Sequence, residues 1–318
     1  MSDIIEKINK ALKKDVAFTG KTKRDKVESL STGLLSLDYA LGVGGLPKGR
    51  IIDLNGLPSV GKSSLCLHMI AVAQQQGIKC AFIDAEYSFV TKHAQIFGVA
   101  TDELVVVQPD SGEEAFETLE LLLNEGYGFI VIDSVSALSP RSEIEAEIGK
   151  PTMGGQARLI SQGLRRVNGL ISKNKAVVLF INQLRKNIMG GPFNQYTVSG
   201  GMALHFYTSI RMELKREGKL ELGPKHVGNK IKIKITKNKV AEPDKTCYIE
   251  HMFGDGFTDD ANILEIATDA GIVIRQGNSY MYEDTKLGTG KEKSSEFIES
   301  NPDIKNQILS RLNAPSEQ

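Results

Sequence analysis

The chain predicts an α/β fold: a mainly parallel central sheet, an N-terminal helical arm and a small C-terminal α/β domain. Three observations carry this. Between residues 50 and 240, continuous apolar runs alternate with amphipathic segments, the pattern of a parallel sheet covered on both faces. One strand-like run leads into Gly56-Leu57-Pro58-Ser59-Val60-Gly61-Lys62-Ser63, which opens a helix-like run. From residue 259 the pattern breaks into short helix-like pieces at 261–270, 294–300 and 304–312 around a small strand at 280–282.

Size and composition narrow the plan. At 318 residues the chain exceeds the usual single domain. The expected division is an arm and linker over 1–29, a core over 30–258 and a small domain with a short tail over 259–318. Lys plus Arg and Asp plus Glu both count 39, giving a net charge of zero. That argues against a polycation coating nucleic acid and leaves room for a local basic groove. No apolar run is long enough to span a bilayer, and the charged N-terminus lacks the apolar core of a signal peptide, so the expected location is the cytoplasm. Cys66, Cys80 and Cys247 are odd in number and lack metal-ligand spacing, so they read as buried thiols of a reducing compartment.

The first element is a helix over residues 3–14, with Ile4, Ile5, Ile8, Ala11 and Leu12 on one stripe and lysines opposite. A basic linker at 20–27 follows. Such a helix cannot bury its stripe alone; it docks on its own core or on another subunit. Strands are expected at 79–84, 104–108, 129–133, 176–182, 209–214 and 230–236, with helices at 113–124 and 156–172.

The glycine-rich stretch matches G-x-x-x-x-G-K-[ST] in the strand-loop-helix context the motif requires. Backbone N–H groups of such a loop cradle phosphates, helped by the helix N-terminus. Gly56, Ser59, Val60, Gly61, Lys62, Ser63 and Ser64 are therefore the expected ATP contacts, Lys62 reaching the outer phosphates and Ser63 ligating Mg²⁺. Downstream, Phe129-Ile130-Val131-Ile132-Asp133-Ser134 is an apolar strand ending in a carboxylate, the Walker B pattern, with Asp133 expected to hold Mg²⁺ through its water shell.

Other strand ends add candidates. Ala81 to Glu86 ends in acids; Glu86 is either a general base for the attacking water or a capping or ion-paired acid. Val177 to Gln183 ends in amides, and Gln183 is placed to touch a γ-phosphate. Residues 184–201 read as a long polar loop that starts with Arg185 and Lys186 and carries an isolated Ile, Phe and Tyr. This is the composition of a single-strand binder or of a mobile surface loop. A second breaker-rich loop at 149–155 feeds a helix on which Arg158 and Arg165 align on one face, as solvated charges or phosphate contacts. Residues 230–239 alternate Lys and Ile, either an edge strand blunted by lysine or a strand whose Lys237 and Lys239 approach phosphate on a neighbouring molecule.

Together these segments resemble the bacterial RecA recombinase family. The resemblance rests on Ser31-Thr32-Gly33-Leu34-Leu35-Ser36-Leu37-Asp38, the phosphate loop, Phe82-Ile83-Asp84-Ala85-Glu86 and Val131-Ile132-Asp133-Ser134-Val135. It extends to Glu143-Ile144-Glu145-Ala146-Glu147-Ile148-Gly149, Phe180-Ile181-Asn182-Gln183, Gly200-Gly201, Ala203-Leu204 and Lys237-Asn238-Lys239, in family order across residues 30–290. It implies a RecA-like P-loop ATPase core that assembles into a helical homo-filament on single-stranded DNA, pairs it with homologous double-stranded DNA and hydrolyses ATP when DNA is bound. At matching positions it implies Glu86 as catalytic glutamate and Gln183 as γ-phosphate sensor. It implies Met153 and Ile188 in two DNA-binding loops bounded by Gly200 and Gly201, and Lys237 and Lys239 acting on the neighbour's ATP. It implies Phe206 at the subunit interface and the N-terminal helix as a protomer-linking arm.

Departures from the family pattern mark a divergent member. His93 replaces the tyrosine that stacks on adenine, Val90 replaces an aspartate nearby, and Phe253 remains as an aromatic wall. Leu57-Pro58 stands where the family has proline then glutamate, the second loop carries Gly190-Gly191-Pro192-Phe193, and the long acidic tail is absent. Two other readings share features of the chain: a ring-forming RecA-core helicase, and a nucleotide-binding accessory regulator without strand exchange.

Overall fold

A computed structural model describes residues 2–14, 16–18, 27–147, 154–186, 196–198, 201–259 and 262–313. It begins with helix α1 (Ser2–Leu12), strand β1 (Ser29–Leu30), α2 (Leu35–Leu41) and β2 (Leu46–Pro47). Then β3 (Arg50–Gly56), α3 (Lys62–Gln75), β4 (Cys80–Asp84), α4 (Thr91–Ile96), β5 (Val105–Val107), α5 (Gly112–Asn124) and β6 (Phe129–Asp133) alternate. There follow α6 (Arg141–Ile144), α7 (Gly155–Lys173), β7 (Val177–Lys186), β8 (Tyr196–Val198) and α8 (Gly201–Tyr207). The core closes with β9 (Ile210–Leu222), β10 (Lys225–Asn238), β11 (Thr246–Met252) and β12 (Gly256–Thr258).

These strands lie in the order β12-β11-β10-β9-β3-β7-β6-β4-β5, with β8 paired to β7 off that path. From β9 to β5 the neighbours run parallel, and β10, β11 and β12 add as antiparallel strands. Strands β4 and β6 are buried at every residue, which is why their sequences are continuously apolar rather than alternating. One face of the sheet packs on α3 through Leu54, Leu65, Met69 and Leu179. The other packs on α5 and α7 through Phe116, Leu119, Leu164, Val167 and Phe180.

Local sequence explains the helix ends. Ser111 accepts from the Glu114 N–H at 3.3 Å, an N-cap followed by a first turn rich in acid. Gly163 lies in mid-helix on α7, where propensity disfavours it; a Cβ there would sit 2.5 Å from the Phe116 ring of α5, so glycine permits the close helix contact. The buried face of α7 is formed by Ile160, Gly163, Leu164, Val167 and Ile171.

Four expectations are corrected. Strand β7 runs on to Lys186, so Leu184, Arg185 and Lys186 are ladder residues paired with β8 and not the start of a loop. The two lysine-rich strands are longer than expected and form an antiparallel β9–β10 hairpin, because their charged ends pair with each other beyond the core. Strand β10 is interior, between β9 and β11, which rules out the edge-strand reading; Ile231, Ile233 and Ile235 are buried, and Lys230 lies over the Tyr248 ring at 5.1 Å. The strand at 280–282 belongs to a three-stranded sheet.

That sheet joins β13 (Ile274–Gln276), β14 (Ser279–Tyr282) and β15 (Thr285–Thr289), flanked by α9 (Ile263–Asp269), α10 (Lys291–Ser300) and α11 (Pro302–Asn313). It has its own core around Leu264, Tyr282, Leu287, Ile298 and Ile308. Where it meets the large sheet, Asp259 accepts from the Ser36 N–H at 2.5 Å and Ser36 Oγ at 2.6 Å. Two residues on, Asp38 accepts from Thr32 N–H, Thr32 Oγ1 and Ser31 Oγ at 2.9, 2.7 and 2.6 Å. Burial pushes the Asp38 carboxyl up to about 6 against these hydrogen bonds.

Candidate active site

The phosphate loop hangs between β3 and α3 at the C-terminal end of the parallel strands, where ligands of such sheets sit. Gly56 has to be glycine: a Cβ would stand 2.9 Å from the Leu214 carbonyl oxygen and 2.9 Å from Val60 Cγ1. Ser59 and Gly61 both hold positive φ, 58° and 96°, the left-handed conformations from which anion-binding loops are built. Lys62 is buried, and its Nζ donates to the carbonyls of Gly56 and Leu57 at 3.0 and 2.9 Å. Burial lowers its pKa, against the pull of Asp133 and Glu86.

Ser63 Oγ donates to Asp133 Oδ2 at 2.6 Å, which joins the loop to the end of β6. Burial raises the Asp133 carboxyl to about 6, with Glu86 and Asp84 adding to the rise and Ser63 opposing it. The chain after β4 is pinned to the same place: the Ala85 and Glu86 N–H groups donate to the Asp133 carbonyl at 2.7 and 3.2 Å. Asp84, fully buried, accepts from the Ser88 and Phe89 N–H groups and so turns the chain back. Glu86 is thereby exposed beside the loop, where its Oε1 accepts from Gln183 Nε2 at 2.8 Å and from Ser134 Oγ. Glu86, Asp133 and Gln183 thus converge from three adjacent strands, Glu86 just past the end of β4, Asp133 at the end of β6 and Gln183 within β7.

The aromatic cluster around His93 is richer than the sequence implied. His93 Nε2 stands 3.3 Å from Ser64 Oγ on the first turn of α3. From His93 a run of ring contacts passes through Phe97 (5.1 Å), Phe257 (5.8 Å) and His251, which stacks on Phe257 at 4.4 Å. Phe253 joins edge-on to His251 at 5.9 Å and is half exposed. His251 and Phe257 were missed; they lie one on each strand of the β11–β12 hairpin, and no local motif marks them. Arg216 was missed too: its Nη2 donates to the Ser59 carbonyl at 2.9 Å.

The two lysines lie apart from this protomer's own loop contacts. Lys237 Nζ donates to the His205 carbonyl and Lys239 Nζ to the Phe206 carbonyl at 3.0 Å, both at the C-terminal end of α8. Phe206 and Met202 of that helix are largely exposed. Arg158 and Arg165 are both exposed on α7. Arg185 and Lys186 are on β7 and Gly201 opens α8. Met153, Ile188 and Gly200 lie outside the described residues.

Loop, cation and carboxylates arranged in this way define a phosphate-loop ATPase, an enzyme whose chemistry is almost wholly positioning and charge stabilisation. The family described as RecA N-terminal domain matches residues 1–258, and the RecA C-terminal domain matches residues 261–315. Protein RecA of Halalkalibacterium halodurans is 45% identical over 294 residues, 92% of this chain and 84% of the relative. Protein RecA of Wolinella succinogenes is 43% identical over 311 residues, covering 97% and 89%, and that of Bacillus thuringiensis 44% over 290 residues, covering 91% and 84%. The chain belongs to the RecA family. It is an ATP-using recombinase whose ATP hydrolysis depends on DNA, and it binds DNA and assembles with itself.

Proposed function

We propose that this chain polymerises as a helical filament on single-stranded DNA, pairs it with a homologous duplex and exchanges strands, with ATP bound between protomers. The contact that carries the reading is the 2.8 Å bond from Gln183 Nε2 to Glu86 Oε1. It joins the residue best placed to take a proton from water to one on the strand that leads into residues 187–195. A γ-phosphate competes for the same amide proton, so nucleotide and DNA segment act on one side chain.

Within the site, the loop N–H groups and Lys62 hold the triphosphate. Glu86 accepts the proton of the attacking water, whose oxygen bonds to the γ-phosphorus as the bond to the β–γ bridging oxygen breaks. Ser63 and Asp133 fit Mg²⁺: a hydroxyl and a carboxylate are hard oxygen donors, and substrate phosphates and water complete the shell of such an ion. Among the described residues no cluster of three His, Cys, Asp or Glu side chains forms a self-sufficient metal cage, in keeping with a metal bound jointly with substrate. When bound, the ion neutralises charge developing on the phosphates. Lys237 and Lys239 supply the remaining positive charge to the neighbour's nucleotide.

DNA contacts are assigned to Arg158, Arg165, Arg185, Lys186 and the segments around Met153, Ile188, Gly200 and Gly201. Helix α1 is assigned to the adjacent protomer; Ile4 and Leu12 are more than half exposed, which supports docking on another subunit. His93 and Phe253 are assigned to the base. The cytoplasm is the assigned location, supported by three free, buried cysteines. ATP turnover measured with and without single-stranded DNA tests the coupling: strong stimulation is expected, and equal turnover would refute it. Strand exchange between homologous substrates tests the recombination step itself.

A further inference from the structure

We propose that Asp53 is a positioning residue for Lys237, holding its ammonium group at the end of α8 by cancelling the charge of Arg211 beside it. The proposal rests on the reading above in which Lys237 serves the neighbouring protomer's phosphate.

The sheet register puts three charges on one rung. Asp53 of β3 pairs with Arg211 of β9, and Arg211 pairs with Lys237 of β10. Arg211 Nε donates to Asp53 Oδ2 at 2.9 Å, and Lys237 Nζ, one strand further, donates to the His205 carbonyl. Like charges directly opposite on neighbouring strands repel. Lys239 brings a third cation to the same helix end through the Phe206 carbonyl. Burial, Lys239 and Arg211 all favour the neutral form of Lys237, and Asp53 opposes them.

The Asp53–Arg211 pair is poorly built as a stabilising device. Asp53 is fully buried, and the amides of Asn55 and Asn182 lie beside its carboxylate along with Arg211, yet neither its Oδ1 nor Arg211 Nη2 meets a described residue in full hydrogen-bond geometry. A two-pronged pair would satisfy both atoms, and a buried pair with orphaned atoms contributes little to stability. What this pair does achieve is a neutral neighbour for Lys237. Asp53 also stands three residues before Gly56 on the strand that carries the phosphate loop. The rung therefore links a protomer's own loop to the cation it offers next door.

The test uses full-length chains on poly-dT with ATP. Asp53→Asn should lower the maximal turnover roughly tenfold while leaving KM for ATP unchanged, the signature of a lost transition-state interaction. Mixed with Glu86→Gln, which has a slow site but intact lysines, the turnover per Asp53→Asn protomer should rise severalfold. Lys237→Ala mixed with Glu86→Gln is the control. Failure of that control to recover refutes the trans role of Lys237; recovery of the control without recovery of Asp53→Asn refutes the rung. The double variant Asp53→Asn/Arg211→Gln removes both charges at similar volume. It is expected to regain most of the turnover that Asp53→Asn alone loses, and turnover no higher than the single variant's would overturn the charge-cancelling role.

Discussion

Lys62 makes two hydrogen bonds to carbonyls of its own loop, and in the proposed site a phosphate would compete with these oxygens for its protons. Lys62→Ala removes the cation without opening the sheet. Turnover is expected to fall at least a hundredfold or so, with an unchanged thermal midpoint by circular dichroism. Retained turnover would remove this loop from the chemistry. Glu86→Gln keeps the volume and the contact region near Gln183 but cannot take a proton; about 10²-fold or more should be lost in turnover, with ATP-dependent DNA binding retained in a filter-binding assay. At this scale the sequence was readable where phosphate chemistry dictates spacing: Gly56, Gly61, Lys62 and Ser63 fall within one eight-residue stretch because a single turn of chain can wrap a phosphate. Asp133 and Glu86 were readable because parallel strands end at the ligand crevice. His251, Phe257, Arg211 and Arg216 were opaque, because each acts through cross-strand neighbours far away in sequence.

Elements carry different information. The contact of α5 with α7 depends on Gly163 under Phe116, and Gly163→Ala should cost about 1–3 kcal/mol through overpacking, read by denaturant melts. The junction of α2 with the preceding turn holds a titration. The Asp38 carboxyl sits at about 6 in the fold, above its unfolded value. Between roughly pH 4 and 6 the folded chain holds a proton that the unfolded chain has lost, so the Asp38 contribution to stability falls as pH rises through that window. Asp38→Asn lacks this dependence. Relative to the variant, the parent should lose up to about 3 kcal/mol on going from pH 4 to pH 7. A difference independent of pH would show that Asp38 titrates normally. Alternation of strands and helices made the parallel half of the sheet legible. The reach of β7, β9 and β10 was not, because those extensions are stabilised by strand pairing, β7 with β8 and β9 with β10, and not by burial that a hydrophobic pattern records.

On the scale of the whole molecule, α1 presents Ile4, Ile8 and Leu12 to solvent, and α8 does the same with Met202 and Phe206. Deleting residues 1–18 should leave a folded protomer that no longer polymerises on DNA, seen as loss of filaments by electron microscopy and of high-mass species by light scattering. Filaments of normal length after the deletion would rule out the arm. The sequence revealed the amphipathic stripe but left two docking surfaces open; exposure in the folded protomer favours the one on another subunit. One further property follows from the cysteines. Cys66 and Cys80 are fully buried and Cys247 nearly so, and burial drives all three thiols up, away from the reactive thiolate. Thiol-directed oxidants and alkylating agents thus find no accessible cysteine in the native chain. A single cysteine introduced on the surface would be the one site open to a maleimide dye, which makes this chain a clean reporter of its own assembly.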